Sequence, residues 1–179
     1  MPIGVTIRPA LPGDAEAIAQ IVRESYARHA ASHIPFDMPL YHEESHLDAM
    51  LDPDTRWIVL QEEARRVGVA MWRMLPGIAH LHLLFVSGEC QGKGYGRLLL
   101  KHHQTESKTE SPETKLYTLH CLRDSQWAVR FYRHQGYSMY EPGDEYKVTD
   151  LYVWIDACRR HDNGWPLRAD KALFYKKAH

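Results

Sequence analysis

The chain is poor in cysteine. Cys90, Cys121 and Cys158 are the three cysteines in 179 residues, they stand far apart and they form no C-x-x-C. That spacing argues against a disulfide framework and a cysteine zinc site, so free thiols are expected. Long apolar runs are also missing: no stretch approaches the ~20 residues of a membrane-spanning helix. The start, Met1-Pro2-Ile3-Gly4-Val5, lacks a basic region followed by an apolar core. A soluble, cytoplasmic protein with no membrane partner is the expectation. Neither sign of charge is in excess, with 22 Lys and Arg against 23 Asp and Glu and a formal net charge of −1. General attraction to nucleic acid is therefore not expected. There is no internal repeat and no low-complexity segment. With 44% hydrophobic and 25% charged residues, the composition suits one buried core, and residues 1–179 read as a single domain.

The most informative run spans Leu81 to His102, an apolar strand, a glycine-bearing turn and the start of an amphipathic helix. Gly92, Gly94 and Gly96 let the backbone approach a ligand, and the helix that follows directs N–H groups and its positive dipole end there. A phosphorylated ligand is the candidate. Two familiar glycine loops do not fit. A P-loop needs four residues between its first glycine and Gly-Lys, then Ser or Thr; here three residues separate Gly88 from Gly92-Lys93, and Gly94 follows. The dinucleotide fingerprint needs G-x-G-x-x-G, whereas these glycines are spaced G-x-G-x-G. Lys93 and Arg97 flank the glycines and can add positive charge, although backbone amides are the expected main binding groups.

Elsewhere the pattern alternates strand and helix. Val5–Arg8 reads as a first strand. Pro12-Gly13-Asp14 opens a helix in which Asp14 can cap and Ile18, Ile21, Val22 and Ser25 form one stripe. Residues 33–41, with Pro35 and Pro39 around Phe36 and Met38, cannot be regular helix and read as a substrate-side loop. A short helix is expected from Glu43 to Leu51, then a strand pair at 57–61 and 67–74. The central strand is expected over 80–86, with Leu98, Leu99 and Leu100 burying the next helix. Then come a strand at 116–121, a helix over 125–135 with Ala128, Phe131 and Gln135 at helical spacing, and strands at 137–140 and 172–176. Residues 143–168 are the least legible, Leu151-Tyr152-Val153-Trp154-Ile155 fitting a strand or a buried helix turn equally well.

Gln91-x-x-Gly94-x-Gly96 after Leu84-Phe85-Val86 resembles the pyrophosphate loop of the GNAT family of acyl-CoA-dependent N-acetyltransferases. Ser125-Gln126-Trp127-Ala128-Val129-Arg130-Phe131-Tyr132, ending in Gly136-Tyr137, resembles the family's second cofactor motif, with Ser125 where many members carry Asn. Ala79-His80-Leu81-His82 is similar to the paired-histidine strand of the arylalkylamine N-acetyltransferases. The resemblance implies an α/β (α+β) GNAT-type fold, a mixed, mostly antiparallel sheet flanked by helices. It also implies acetyl-CoA as co-substrate without a metal, and direct transfer to a primary amine of a small molecule.

Two proton transfers accompany such a reaction, because an amine of pKa about 10 arrives protonated and the thiolate must leave protonated. His80 and His82, two apart on a strand, share a face. By the resemblance they are general bases, with His82 nearer the loop, and Tyr132 is the proton donor to the thiolate. The cofactor would lie against Leu84, Phe85 and Val86, whose backbone N–H groups can polarise the thioester carbonyl, against the loop Gln91, Gly92, Lys93, Gly94, Tyr95, Gly96 and Arg97, and near Ser125. The resemblance also implies a splayed central strand that admits the pantetheine.

Other readings are a protein lysine or N-terminal acetyltransferase and a CoA-binding regulator without turnover. His42-Glu43-Glu44-Ser45-His46 matches H-E-x-x-H of zinc hydrolases. It sits at a helix start after Pro39, without a third ligand at recognisable spacing, in a chain with 12 histidines, so a polar helix start is the preferred reading. A homodimer is compatible with the sequence.

Overall fold

The computed structural model describes residues 4–28, 42–160 and 170–178. Along the chain run β1 (Val5–Pro9), α1 (Ala15–Arg28), α2 (Glu43–Leu51), β2 (Thr55–Glu62), β3 (Arg65–Leu75), β4 (Ile78–Val86) and α3 (Tyr95–Glu110). There follow β5 (Leu116–Leu122), α4 (Gln126–His134), β6 (Ser138–Met139), α5 (Thr149–Arg160) and β7 (Lys171–Lys177). The strands form one seven-stranded sheet in the order β1, β2, β3, β4, β5, β7, β6. Pairing of β4 with β5 is parallel, while β1 with β2, β2 with β3, β5 with β7 and β6 with β7 are antiparallel. Two compact units make up the chain: Met1–Arg73 with His82–Thr105, and Met74–Leu81 with Glu106–His179.

In the first unit the two faces of the β2–β3 hairpin take different helices, as strand alternation requires. Trp57, Val59 and Val69 join Leu83 of β4 and Ile18 and Ile21 of α1 in one cluster. On the other face, the space a side chain at Gly68 would occupy is bounded by Leu99 of α3 and by Leu60, so helix and sheet meet closely there. His103, one turn after Leu99, is fully buried with its ring edge-on to Trp72 at 5.2 Å. Asp14 is also buried, but it does more than cap a helix. Its carboxylate accepts from Arg8, from Arg66 and from the Leu11 backbone N–H at 2.7–2.9 Å. These donors, the Arg8 guanidinium foremost, hold its pKa well below the ordinary carboxylate range.

In the second unit Ile78 and Leu116 join Leu173 in a cluster with Leu151, Trp154 and Ile155 of α5. Those three α5 residues recur at i, i+3 and i+4, so the segment left open between strand and helix is a helix with one buried stripe. Tyr152 and Val153 face outward. β7 is an interior strand. It lies between β5 and the two-residue β6, which is the edge and is shorter than the expected strand at 137–140. On α4 the buried residues are Ala128, Val129 and Tyr132, with Phe131 and Gln135 only partly covered. The stripe is thus rotated from the expected one. β4 begins at Ile78, two residues before the expected start. The expected substrate-side loop at 33–41 lies outside the described residues. Among the described residues no helix is long and apolar enough to cross a membrane.

Burial drives the pKa of His103 down to about 3, so the folded chain binds fewer protons there than the unfolded chain, whose imidazole titrates near 6.5. Its contribution to stability is complete above pH 6.5 and is lost as pH falls from 6.5 through 3. Between pH 7 and pH 4 the melting temperature of the wild type should therefore fall further than that of His103→Leu. Parallel pH profiles would show that His103 is not a source of acid sensitivity.

Candidate active site

The turn after β4 is built from both ends. At its root, the Ser87 hydroxyl donates to the Glu24 carboxylate of α1, the Ser87 backbone N–H donates to Val67 O at 2.9 Å, and Gln91 Nε2 reaches Val86 O at 3.1 Å and Ser25 Oγ at 3.3 Å. A short 3-10 turn over Gly88–Cys90 follows, with Cys90 buried inside it. Gly92 and Gly94 both adopt the left-handed region, at φ +86° and +85°. There L side chains are strained and glycine is not. A Cβ at either position would meet nothing within 4 Å, so the glycines serve backbone conformation and leave open space above it. The Gly94 carbonyl accepts from Leu98 N–H at 3.1 Å, which closes the first turn of α3. The N–H groups of that turn have no acceptor within the helix. Backbone amides, a helix dipole and unfilled space meet here in the arrangement that binds phosphate.

The tip of the turn is tied to β2. Glu62 follows Leu60 by two residues and so shares the face that α3 covers. Its carboxylate accepts from Tyr95 Oη at 2.5 Å and from Lys93 Nζ at 3.1 Å on both oxygens. Tyr95, the first residue of α3, is buried. The tyrosyl bond and the lysine hold the Glu62 pKa below its ordinary value, while the same carboxylate raises those of Tyr95 and Lys93. Cys90 lies 3.8 Å from Glu62, and burial raises its thiol pKa, which keeps it protonated and a poor nucleophile. Cys121, also a free thiol, is pushed by burial up to about 12. Sequence reasoning singled out the turn but missed Glu24 and Glu62, because each stands tens of residues away in a segment with no motif of its own. Arg97 is exposed on α3.

The two histidines of β4 have different surroundings. His80 is buried, its Nδ1 is 2.8 Å from Thr118 Oγ1, and its ring stacks on His120 at 5.4 Å and tilts against Trp154 at 5.5 Å. The parallel register that pairs His80 with Thr118 makes this contact inevitable, and the ladder runs only from Ile78–Leu116 to Leu81–Leu119. Both strands continue beyond it. His82 lies in that continuation and is partly exposed. Burial, helped by the Arg73 charge, lowers its pKa to about 4, so it is a neutral imidazole at physiological pH. Arg73 in turn is ion-paired with Asp52, the residue that ends α2.

Tyr132 is buried in α4, its ring packed on Phe131, Tyr137 and Phe174 at 5.1–6.0 Å. The helix stops in a Schellman turn: Gly136 takes φ +80° and Tyr137 N–H returns to Tyr132 O at 3.1 Å. Gly136-Tyr137 therefore ends the helix and folds Tyr137 back onto Tyr132. Ser125 stands at the N-cap and is buried. Its carbonyl accepts from Ala128 and Val129, whereas its side chain makes no capping bond. In α2, His46 is buried edge-on to Trp57 at 5.8 Å, and His42 is exposed at the N-cap. Among the described residues no group of three His, Cys, Asp or Glu is gathered as metal ligands would be.

The class the fold and site define is an α/β protein with a mixed sheet, whose central strand runs through a left-handed glycine turn into a helix N-terminus suited to an anion. The model of the Acetyltransferase (GNAT) family matches residues 16–137, and the chain belongs to that family. Solved structures agree in fold. PaiA N-acetyltransferase from Thermoplasma acidophilum, in complex with coenzyme A, is 16% identical, with a TM-score of 0.75 over 98% of this chain and 99% of that one. The ribosomal-protein-S18-alanine N-acetyltransferase from Escherichia coli is 16% identical, with a TM-score of 0.66 over 97% and 94%. YncA from Salmonella typhimurium, with its cofactor acetyl-CoA, is 21% identical, with a TM-score of 0.60 over 77% and 82%. No curated protein matches the sequence.

The turn's dependence on backbone conformation is directly measurable. Denaturant unfolding should show Gly94→Ala destabilised by about 1 kcal/mol, Gly94→Asn by less and Gly94→Val by more, in the order of tolerance for positive φ. Equal stabilities across the three would mean the turn relaxes out of the left-handed region.

Proposed function

We propose that the chain transfers the acetyl group of acetyl-CoA directly to a primary amine, with His82 as the base and Tyr132 as the acid. One observation carries the cofactor assignment: the left-handed Gly92 and Gly94, with open space above them, at the N-terminus of α3 in a GNAT chain. The residues that would hold the pyrophosphate are the backbone amides of 92–97, with Leu84, Phe85 and Val86 of β4 along the pantetheine and Ser125 near it. Acetyl-CoA supplies an acyl group already activated as a thioester.

The surroundings of the side chains support these roles. His82 stays neutral over the whole physiological range, so it can accept a proton through water from the incoming ammonium, and its low basicity makes it a relay that passes the proton on. His80 suits the base role less well, because Thr118, His120 and Trp154 already hold its ring; we assign it to positioning β4. Tyr132, held by aromatic rings, carries a phenol O–H, a group suited to deliver a proton to the departing sulfur. Backbone N–H groups of Leu84 to Val86 polarise the thioester carbonyl.

For the acceptor we favour a small amine, on the strength of the His80-x-His82 pattern, which resembles the paired-histidine strand of arylalkylamine N-acetyltransferases. A protein N-terminus is the second reading, favoured by the fold shared with the S18-alanine enzyme.

Thermal-shift titration should show acetyl-CoA and CoA raising the melting temperature, with ATP and NAD without effect; no shift with either thioester or thiol overturns the cofactor assignment. Tyr132→Phe should lower kcat roughly 100-fold with acetyl-CoA affinity nearly unchanged; an unaltered kcat removes the acid role. His82→Ala should lose most activity at low pH and recover partly as pH rises and more amine is free. Because the pKa of His82 is about 4, the wild-type acid limb should follow amine deprotonation, with no inflection near 6.5. A pH-independent loss in the variant would count against the base assignment.

A further inference from the structure

Lys93 occupies the position between the two left-handed glycines, the place from which a cation could reach a bound phosphate, yet both oxygens of Glu62 engage its ammonium at 3.1 Å. The pair is partly exposed on both sides, and such pairs are held weakly enough to exchange partners. Tyr95, by contrast, is buried and donates to the same carboxylate. Glu62 therefore has one fixed attachment, to the first residue of α3, and one exchangeable attachment, to Lys93.

We infer that Glu62 is a positioning residue that sets the affinity of the turn for a phosphorylated ligand, holding Lys93 when the turn is empty and yielding it to phosphate on binding. The inference rests on the acetyl-CoA reading above. Two effects of the carboxylate oppose binding. It competes for the lysine, and its own negative charge lies beside a site that must accept further negative charge. A gain in affinity on removing that charge is the result a purely structural Glu62 would not produce. Glutamine is the appropriate replacement, since its carbonyl can still accept from Tyr95 while its charge is gone. The consequence for turnover is release: a turn that bound CoA more tightly would let the product leave more slowly.

Calorimetric titration of CoA into the wild type, Glu62→Gln, Lys93→Gln and the double variant, at low and high salt, tests this. Glu62→Gln should bind CoA about three- to fivefold more tightly at low salt, with the gain shrinking at high salt. Lys93→Gln alone should bind about threefold or more weakly, because Glu62 is left without its counter-charge, and the double variant should lose the gain of Glu62→Gln. Unchanged or weaker binding by a folded Glu62→Gln, or a gain that survives in the double variant, overturns the inference. If Glu62→Gln does not fold, Lys93→Gln decides: unaltered CoA affinity in that variant overturns it as well. A wild type that binds no CoA overturns the cofactor reading and this inference together, whereas wild-type binding with flat variants overturns only this inference.

Discussion

Gly94 carries two obligations at once: its backbone must be left-handed, and its carbonyl must accept the bond that closes the first turn of α3. The rest of the first unit is arranged around that junction. Glu24 and Ser25 of α1 secure the strand end and Gln91, while Glu62 of β2 secures Tyr95 and Lys93. A turn of alternating glycines has high conformational entropy when free. These attachments, made by side chains from α1 and β2, restrict it in advance and so reduce what ligand binding has to order.

Histidine chemistry divides along the same lines. His103 and His82 are both shifted toward neutrality, chiefly by burial, but one is packed against Trp72 inside the core and the other lies where β4 runs beyond its ladder with β5. His80, two residues away on the same strand, is held by a hydroxyl and two rings. One short strand thus has a histidine that braces the sheet next to one with some exposure, and register, not residue type, separates them.

Tyr132 illustrates how a motif that stops a helix also fixes a side chain on it. The Gly136-Tyr137 pair ends α4 and returns an aromatic ring onto Tyr132, with Phe174 of β7 on another side. A phenol fixed in this way has few rotamers left.

Much of this was legible from residue order alone. The glycine turn, the strand feeding it, the Glu43–Leu51 helix and the GNAT assignment all rest on local patterns, since turn conformation, helix stops and strand alternation depend on neighbours within a few positions. What the sequence could not disclose depended on partners distant along the chain. Leu151 to Ile155, rich in β-branched and aromatic residues, became a helix because its i, i+3, i+4 stripe packs on Ile78, Leu116 and Leu173. Burial on α4 fell on Tyr132 instead of Phe131. Glu62 became the counter-ion of the turn only because strand alternation set it on the α3 face of β2, some thirty residues from Lys93 in sequence. Local chemistry determined which conformations each segment could adopt, and long-range packing and register decided which side chains met, because burial and ion pairing act between neighbours in space.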